Sequence, residues 1–380
     1  MIYLDNSATT RPLPAAAEAV RRCLTEAYFN PSSAYGPAVA VERSVEGARA
    51  RLAQALGASP SEIIYTSGGT ESNNMAILGT QNIRRTRGTL ITTAVEHPSV
   101  FEVFRTMERS GYEAAYIGVD ATGAVRLDAL EAALSERTAL VSIMHINNET
   151  GAVNDIAGAY ALIRRRAPQA LLHVDGVQAF CKVPFGKPPC DLYSISGHKF
   201  HGPKGIGALY IRAGTPFAGG QIGGGQERGL RSGTTNAPGI LGMDVALSEY
   251  RAQQAGWINT MRACKLRLAN HLQAIPDAVL NGPPPEQGAP HILNASFFGV
   301  RGEVLLHALE QKGILVSTGS ACSAHKKGKN RVLSAMGVEG ARQEGAIRFS
   351  LSPFNTLEEM DQAAQAIGEL IVYLRRFKRR

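Results

Sequence analysis

The feature that most constrains this chain is an alternation between two hydrophobic periods. Short apolar runs at 62–66, 89–94, 112–118, 138–146, 170–175, 191–195 and 205–211 occupy the first two thirds of the sequence. Between them, 72–86, 99–110, 127–135 and 155–166 carry apolar residues at helical spacing. Strands interleaved with helices in this way form a mostly parallel sheet covered by helices, so the expected architecture is α/β with a seven-stranded sheet. At 380 residues the chain exceeds one small core, and two domains are expected. A helical stretch from about 238 to 275 runs into the breaker NGPPPEQGAP (281–290), after which HILNASFF is strand-like. The large domain is placed at 12–255, and a smaller α+β domain takes 1–11 and 256–380. Thr356 and Glu359 are spaced as a capping box for a long final helix.

No apolar run approaches the roughly 20 residues of a membrane span. MIYLDNSATT lacks the basic and apolar segments of an export signal, so the expected compartment is the cytosol. The cysteines, Cys23, Cys181, Cys190, Cys264 and Cys322, are odd in number and hold no close C-x-x-C pair. That argues against a disulfide framework or a structural zinc site, and no metal is expected. The net charge of +8 raises nucleic acid as a partner, but the basic residues are mostly scattered, apart from KKGK (326–329) and RRFKRR (375–380). A solvated tail is the simpler reading, and direct nucleic-acid binding is not expected.

Chemistry concentrates in a few segments. In DLYSISGHKFHGPKGIGALYI (191–211) a strand runs into a turn bearing Ser196, His198 and Lys199. Lysine prefers water and becomes a nucleophile when burial or a cationic neighbour disfavours its charge, so Lys199 reads as a Schiff-base candidate or as a structural loop residue. HVDGVQ (173–178) ends an apolar strand with Asp175, placed to serve a buried cation or to cap the next helix, and then presents Gln178. EIIYTSGGTESNNMAIL (62–78) is a strand, a glycine turn at Gly69 and Thr70, and a helix start whose free N–H groups suit a phosphate. His97 is a candidate for stacking on a flat ring, and Asn148 for hydrogen bonding; both could also be core or turn residues. Arg348, between apolar neighbours in AIRFSL, needs an anion, either a substrate carboxylate or a structural partner. Cys322 lies among small and basic residues, where nearby positive charge favours the thiolate, while the other cysteines read as packing residues. GGGQERG (223–229) lacks the preceding strand of a dinucleotide fingerprint.

As an ordered set these segments resemble one family. YLDNSATT, NPSSAYG, TSGGTESNN, EHPSV, HINNETG, HVDGVQ, SGHKFHGPKGIG, GGGQERGLRSGT, STGSACS and IRFSL follow the order of the cysteine desulfurases, and the match spans nearly the whole chain. These are fold type I pyridoxal-phosphate enzymes related to class V aminotransferases. The resemblance implies pyridoxal 5'-phosphate held by Lys199 as the Schiff-base lysine, with Asp175 on the pyridine nitrogen, His97 stacked on the ring and Gln178 at the phenolic oxygen. Gly69, Thr70, Ser196 and His198 would hold the phosphate, and Thr234 of RSGT would complete that site from the neighbouring subunit of a homodimer. Asn148 and Arg348 would orient L-cysteine, with Asn30 assisting.

The implied chemistry ends with the Cys322 thiolate taking the substrate sulfur as a persulfide, releasing alanine, and passing the sulfur to an acceptor protein. SGSAC with an extended loop looks like the branch serving iron–sulfur assembly and tRNA thiolation; transient iron–sulfur ligation by Cys322 stays open. Two departures stand out: Gly69 where the family often has alanine, read as sterically mild, and SACSA in place of SACTS. A selenocysteine lyase or a related class V lyase or aminotransferase would also keep Lys199. A non-catalytic binding protein on the same fold would use the basic loop and tail instead.

Overall fold

The computed structural model describes residues 1–81, 88–319 and 329–377. After a short β1 (Ile2–Tyr3), the central strands are β2 (Ile63–Thr66), β3 (Thr89–Thr93), β4 (Ala114–Ile117), β5 (Thr138–Met144), β6 (Leu171–Asp175), β7 (Leu192–Ser196) and β8 (Gly207–Ile211). They form one seven-stranded sheet in the order β2-β8-β7-β6-β5-β3-β4. The stretch from β4 to β7 is parallel throughout. Only β8 reverses, pairing antiparallel with both β7 and β2. Every expected strand forms, with ends displaced by at most two residues.

The continuous apolar runs are explained by cover on both faces. β5 and β6 are buried along their whole length. Leu140 and Leu171 pack on one side with Ile77 of the helix Gly69–Gln81 and Phe104 of the helix Pro98–Arg109. Val141 and Leu172 face the other side, against Ile163 of Ile156–Arg166 and Leu52 of Gly36–Ala55. With a parallel sheet covered this way, the crevice at the carboxyl ends of its strands is where a ligand site forms.

A second apolar cluster joins Leu4 near the N-terminus to Leu268, Leu293, Phe297, Phe349 and Ile367. Here β9 (Ala278–Asn281), β10 (Ile292–Phe297) and β12 (Ala346–Ser350) make an antiparallel sheet, and β11 (Ile314–Leu315) pairs in parallel with β1. The helix Ala237–Gln273 supplies Tyr250 to the first cluster and Leu268 to the second, so residue 256 falls inside one unbroken helix. Cys23, Cys181, Cys190 and Cys264 are buried free thiols. Among the described residues no helix is long and apolar enough to cross a membrane.

The capping box forms as expected. Glu359 N–H donates to Thr356 Oγ1 at 3.2 Å and Thr356 N–H to Glu359 Oε2 at 3.3 Å. The helix it starts, Leu357–Arg375, buries Met360 and Ile367 in the second cluster. Thr356→Ala should therefore cost about 1 kcal/mol. Urea unfolding followed through Trp257, the only tryptophan and a neighbour of Phe354 at 5.6 Å, should show the lower midpoint.

Candidate active site

The carboxyl ends of β5, β6 and β7 open on a cavity of about 280 Å³. Lys199, Asp175, His97, Gln178, Asn148 and Arg348 all line it. So do Gly69, Thr70, Ser196 and His198. Residues separated by up to 341 positions, Ser7 to Arg348, thus line one cavity.

Asp175 ends β6 and is only 4% exposed. Its Oδ1 accepts from Val177 N–H at 3.0 Å and its Oδ2 from Asn73 Nδ2 at 2.8 Å. The second Asn73 N–H reaches Ser99 Oγ at 2.9 Å, and Ser99 Oγ lies 2.8 Å from His97 Nδ1. His97 caps the helix Pro98–Arg109, with Nδ1 accepting from Ser99 N–H at 3.2 Å. A neutral His97 ring therefore carries its proton on Nε2. Burial holds its pKa below the ordinary histidine value, opposed by Asp175 and reinforced by Lys199 and Arg331.

Lys199 closes the single turn that follows β7. Its Nζ donates to the main-chain carbonyls of Ser7 at 2.6 Å and Ala8 at 2.8 Å. Burial pushes the amine down to about 7, with Arg348 and Lys182 adding to the fall and Asp5 and Asp175 opposing it. The same N-terminal segment binds its neighbours. Gln178 Nε2 donates to Ser7 O at 3.0 Å, and Thr9 Oγ1 meets His198 Nδ1 at 3.1 Å. Burial pushes the His198 ring down to about 4.

Arg348, on β12, is 3% exposed. Nη1 donates to Asn148 O at 3.0 Å and Nη2 to Asp5 Oδ1 at 2.7 Å, while Nε has no partner among the described residues. A buried guanidinium on a cavity wall is suited to an anion. Gly69 begins the helix Gly69–Gln81, and a Cβ there would stand 2.6 Å from Val177 Cγ2. Glycine at 69 thus leaves the space that Val177 occupies.

Two expected residues stay outside the cavity. Asn30 is exposed and uses its own Oδ1 to hold Ser32 N–H at 3.0 Å. Thr234 is exposed and lines a separate depression with Arg231 and Tyr65. Cys322 lies outside the described residues. Sequence reading passed over Asn73, Ser99, Asp5 and Ser7 as individual residues, although all four sit in motifs that carry the family pattern. Among the described residues no cluster of His, Cys, Asp and Glu could hold a metal ion.

Residues 2–363 match the model of the family described as aminotransferase class-V. The chain is 41% identical over 378 residues to a cysteine desulfurase of Trichormus azollae, covering 99% of this chain and 94% of that one. It is 42% identical over 382 residues to the cysteine desulfurase IscS of Serratia proteamaculans, covering 98% and 93%. The solved structure of a NifS-like protein superposes with a TM-score of 0.92 at 38% identity, covering 98% of this chain and 99% of that one. The chain belongs to the class-V aminotransferase family, among its cysteine desulfurases. A further neighbour is the structure of SspA in complex with cysteine, at a TM-score of 0.81 and 30% identity, covering 94% of this chain and 100% of that one.

For a class-V family member, a lysine amine that is half neutral near pH 7 is the consequential feature of this cavity. Ordinary lysines titrate near 10.4, so exposed ones stay protonated there. Labelling Lys199 with an amine-acylating reagent, followed by peptide mass analysis, should accelerate as pH rises through about 7.

Proposed function

We propose that this chain is a pyridoxal-phosphate-dependent cysteine desulfurase that converts L-cysteine to L-alanine and leaves the sulfur as a persulfide on Cys322. The observation that carries the reading is the buried Lys199 amine, shifted to about 7, sharing one cavity with the Asp175 carboxylate and the Arg348 guanidinium. These residues fit the cofactor. An amine, a carboxylate at a strand end, a cavity-lining imidazole and a helix start at Gly69 match its aldehyde, ring nitrogen, ring face and phosphate. Bound there, the cofactor supplies an aldehyde for the Lys199 amine and a ring that withdraws electrons from the substrate α-carbon.

In this reading the protein's own groups divide the work. Asp175, oriented by Asn73 and Val177, holds a proton on the ring nitrogen. His97 would stack on the ring, with its orientation fixed through Ser99. Gln178 serves the phenolic oxygen, and Gly69, Thr70, Ser196 and His198 hold the phosphate. The Lys199 amine would move protons at the substrate α-carbon. Arg348 binds the substrate carboxylate by exchanging with Asp5, and Asn148 completes the substrate contacts. The Cys322 thiolate then attacks the substrate sulfur. The carbon–sulfur bond breaks, its electron pair stays with carbon, protonation gives alanine, and the sulfur remains on Cys322.

Thr234 completes the phosphate site from a second copy of the chain; its exposure, away from its own chain's cavity, supports a homodimer. The two apolar clusters support a large domain at 12–255 and a small one at 1–11 and 256–380. The persulfide sulfur goes to an acceptor protein in the cytosol, for iron–sulfur assembly or tRNA thiolation.

Incubation of the cofactor-loaded protein with L-cysteine should add sulfur to the Cys322 peptide and release alanine in equal amount. Cys322→Ser should keep the bound cofactor and lose both products, and full turnover in that variant would sink the persulfide route. Arg348→Gln should raise KM for L-cysteine roughly tenfold to a hundredfold, the worth of a charge-assisted contact to a carboxylate.

A further inference from the structure

Next to Lys199 lies a second buried lysine that the chemistry above does not use. Lys182 is 5% exposed, and its Nζ donates to the main-chain carbonyl of Lys199 at 2.7 Å. None of the ion pairs among the described residues includes it. Burying an ammonium without a carboxylate is costly, and an apolar side chain would pack more cheaply there.

The backbone is shaped to put it there. Cys181, just before it, is a non-glycine residue in the left-handed conformation, with φ of 69°. Gln254 on the long helix fixes both flanks, its Nε2 donating to Cys181 O at 3.2 Å and to Val183 O at 2.7 Å. A strained position held on both sides points to a constraint that packing alone does not require.

We propose that Lys182 is a positioning residue for Lys199: it clamps the main-chain carbonyl of the cofactor-binding lysine and keeps a fixed positive charge beside it. The clamp fixes where the Lys199 side chain starts, so that Nζ reaches both Ser7 O and Ala8 O. Other charged groups acting on Lys199 are Arg348 from β12, Asp5 from the segment after β1 and Asp175 from β6; His97 and the adjacent His198 are its titratable neighbours on the cavity wall. Burial lowers Lys182 itself only to about 8, which leaves it mostly protonated at neutral pH.

The inference rests on Lys199 being the cofactor lysine, and the experiment separates the two. Full-length parent, Lys182→Gln and Lys182→Met are loaded with pyridoxal phosphate, and borohydride reduction with mass analysis locates the cofactor in each. Their visible absorbance is then titrated with pH. Loss of a neighbouring cation favours the protonated form, so both variants should titrate roughly half to one pH unit higher than the parent. Lys182→Gln, which retains an N–H donor, should attach the cofactor at close to the parental rate, and Lys182→Met several-fold more slowly. A Lys182→Gln midpoint equal to the parent's overturns the proposal, whether or not Lys182→Met folds. A parent unlabelled at residue 199 sinks the functional reading, and this inference with it.

Discussion

An amine taken out of water must find acceptors or give up its proton. Lys199 does part of both: two carbonyls of the N-terminal segment accept from it, and its pKa falls to about 7. Much of the site is arranged around that condition. The N-terminal segment threads back to the crevice to supply Ser7 and Ala8, and Thr9 and Thr10 bind His198 on the same turn. Leu4 anchors that segment in the second apolar cluster, so the amine's environment depends on both cores being assembled.

The charges nearby are balanced rather than neutralised. Arg348 and Lys182 push proton density off the amine, while Asp5 and Asp175 restrain the shift. Asp5 also pairs with Arg348, which keeps the guanidinium from standing as an uncompensated buried charge. The imidazoles around the site, His97, His198 and His291, are held below their ordinary pKa mainly by burial. They present polar edges without adding positive charge at neutral pH. A lysine nucleophile in this setting needs neighbours that orient without protonating it.

Much of the architecture was legible because strands buried on both faces leave continuous apolar runs, and these need no partner to be recognised. The reversed direction of β8 was not legible, since pairing sense is decided between strands and leaves no mark in β8's own residues. The helices Pro14–Thr25 and Gly36–Ala55 went unread. In the site, Lys199, Asp175 and His97 were found because strand ends and turns with charged or imidazole side chains are local signals. Asn73 and Ser99 were not, because their role is a contact across elements: Asn73 lies 102 positions from the aspartate that it orients. Asn30 was assigned by likeness, and its exposed turn does not reach the cavity of its own chain.

Sequence alone determined the alternation that makes an α/β sheet, the capping box at Thr356, and the residue types able to hold an aldehyde cofactor and an amino-acid carboxylate. Each is set by a period or a spacing within a few residues. Tertiary structure alone decided that Lys199 is dry, that Arg348 faces the same cavity from another sheet, and that Lys182 is buried against it. Desolvation and charge–charge coupling depend on distances through space, and those exist only once distant segments have packed together.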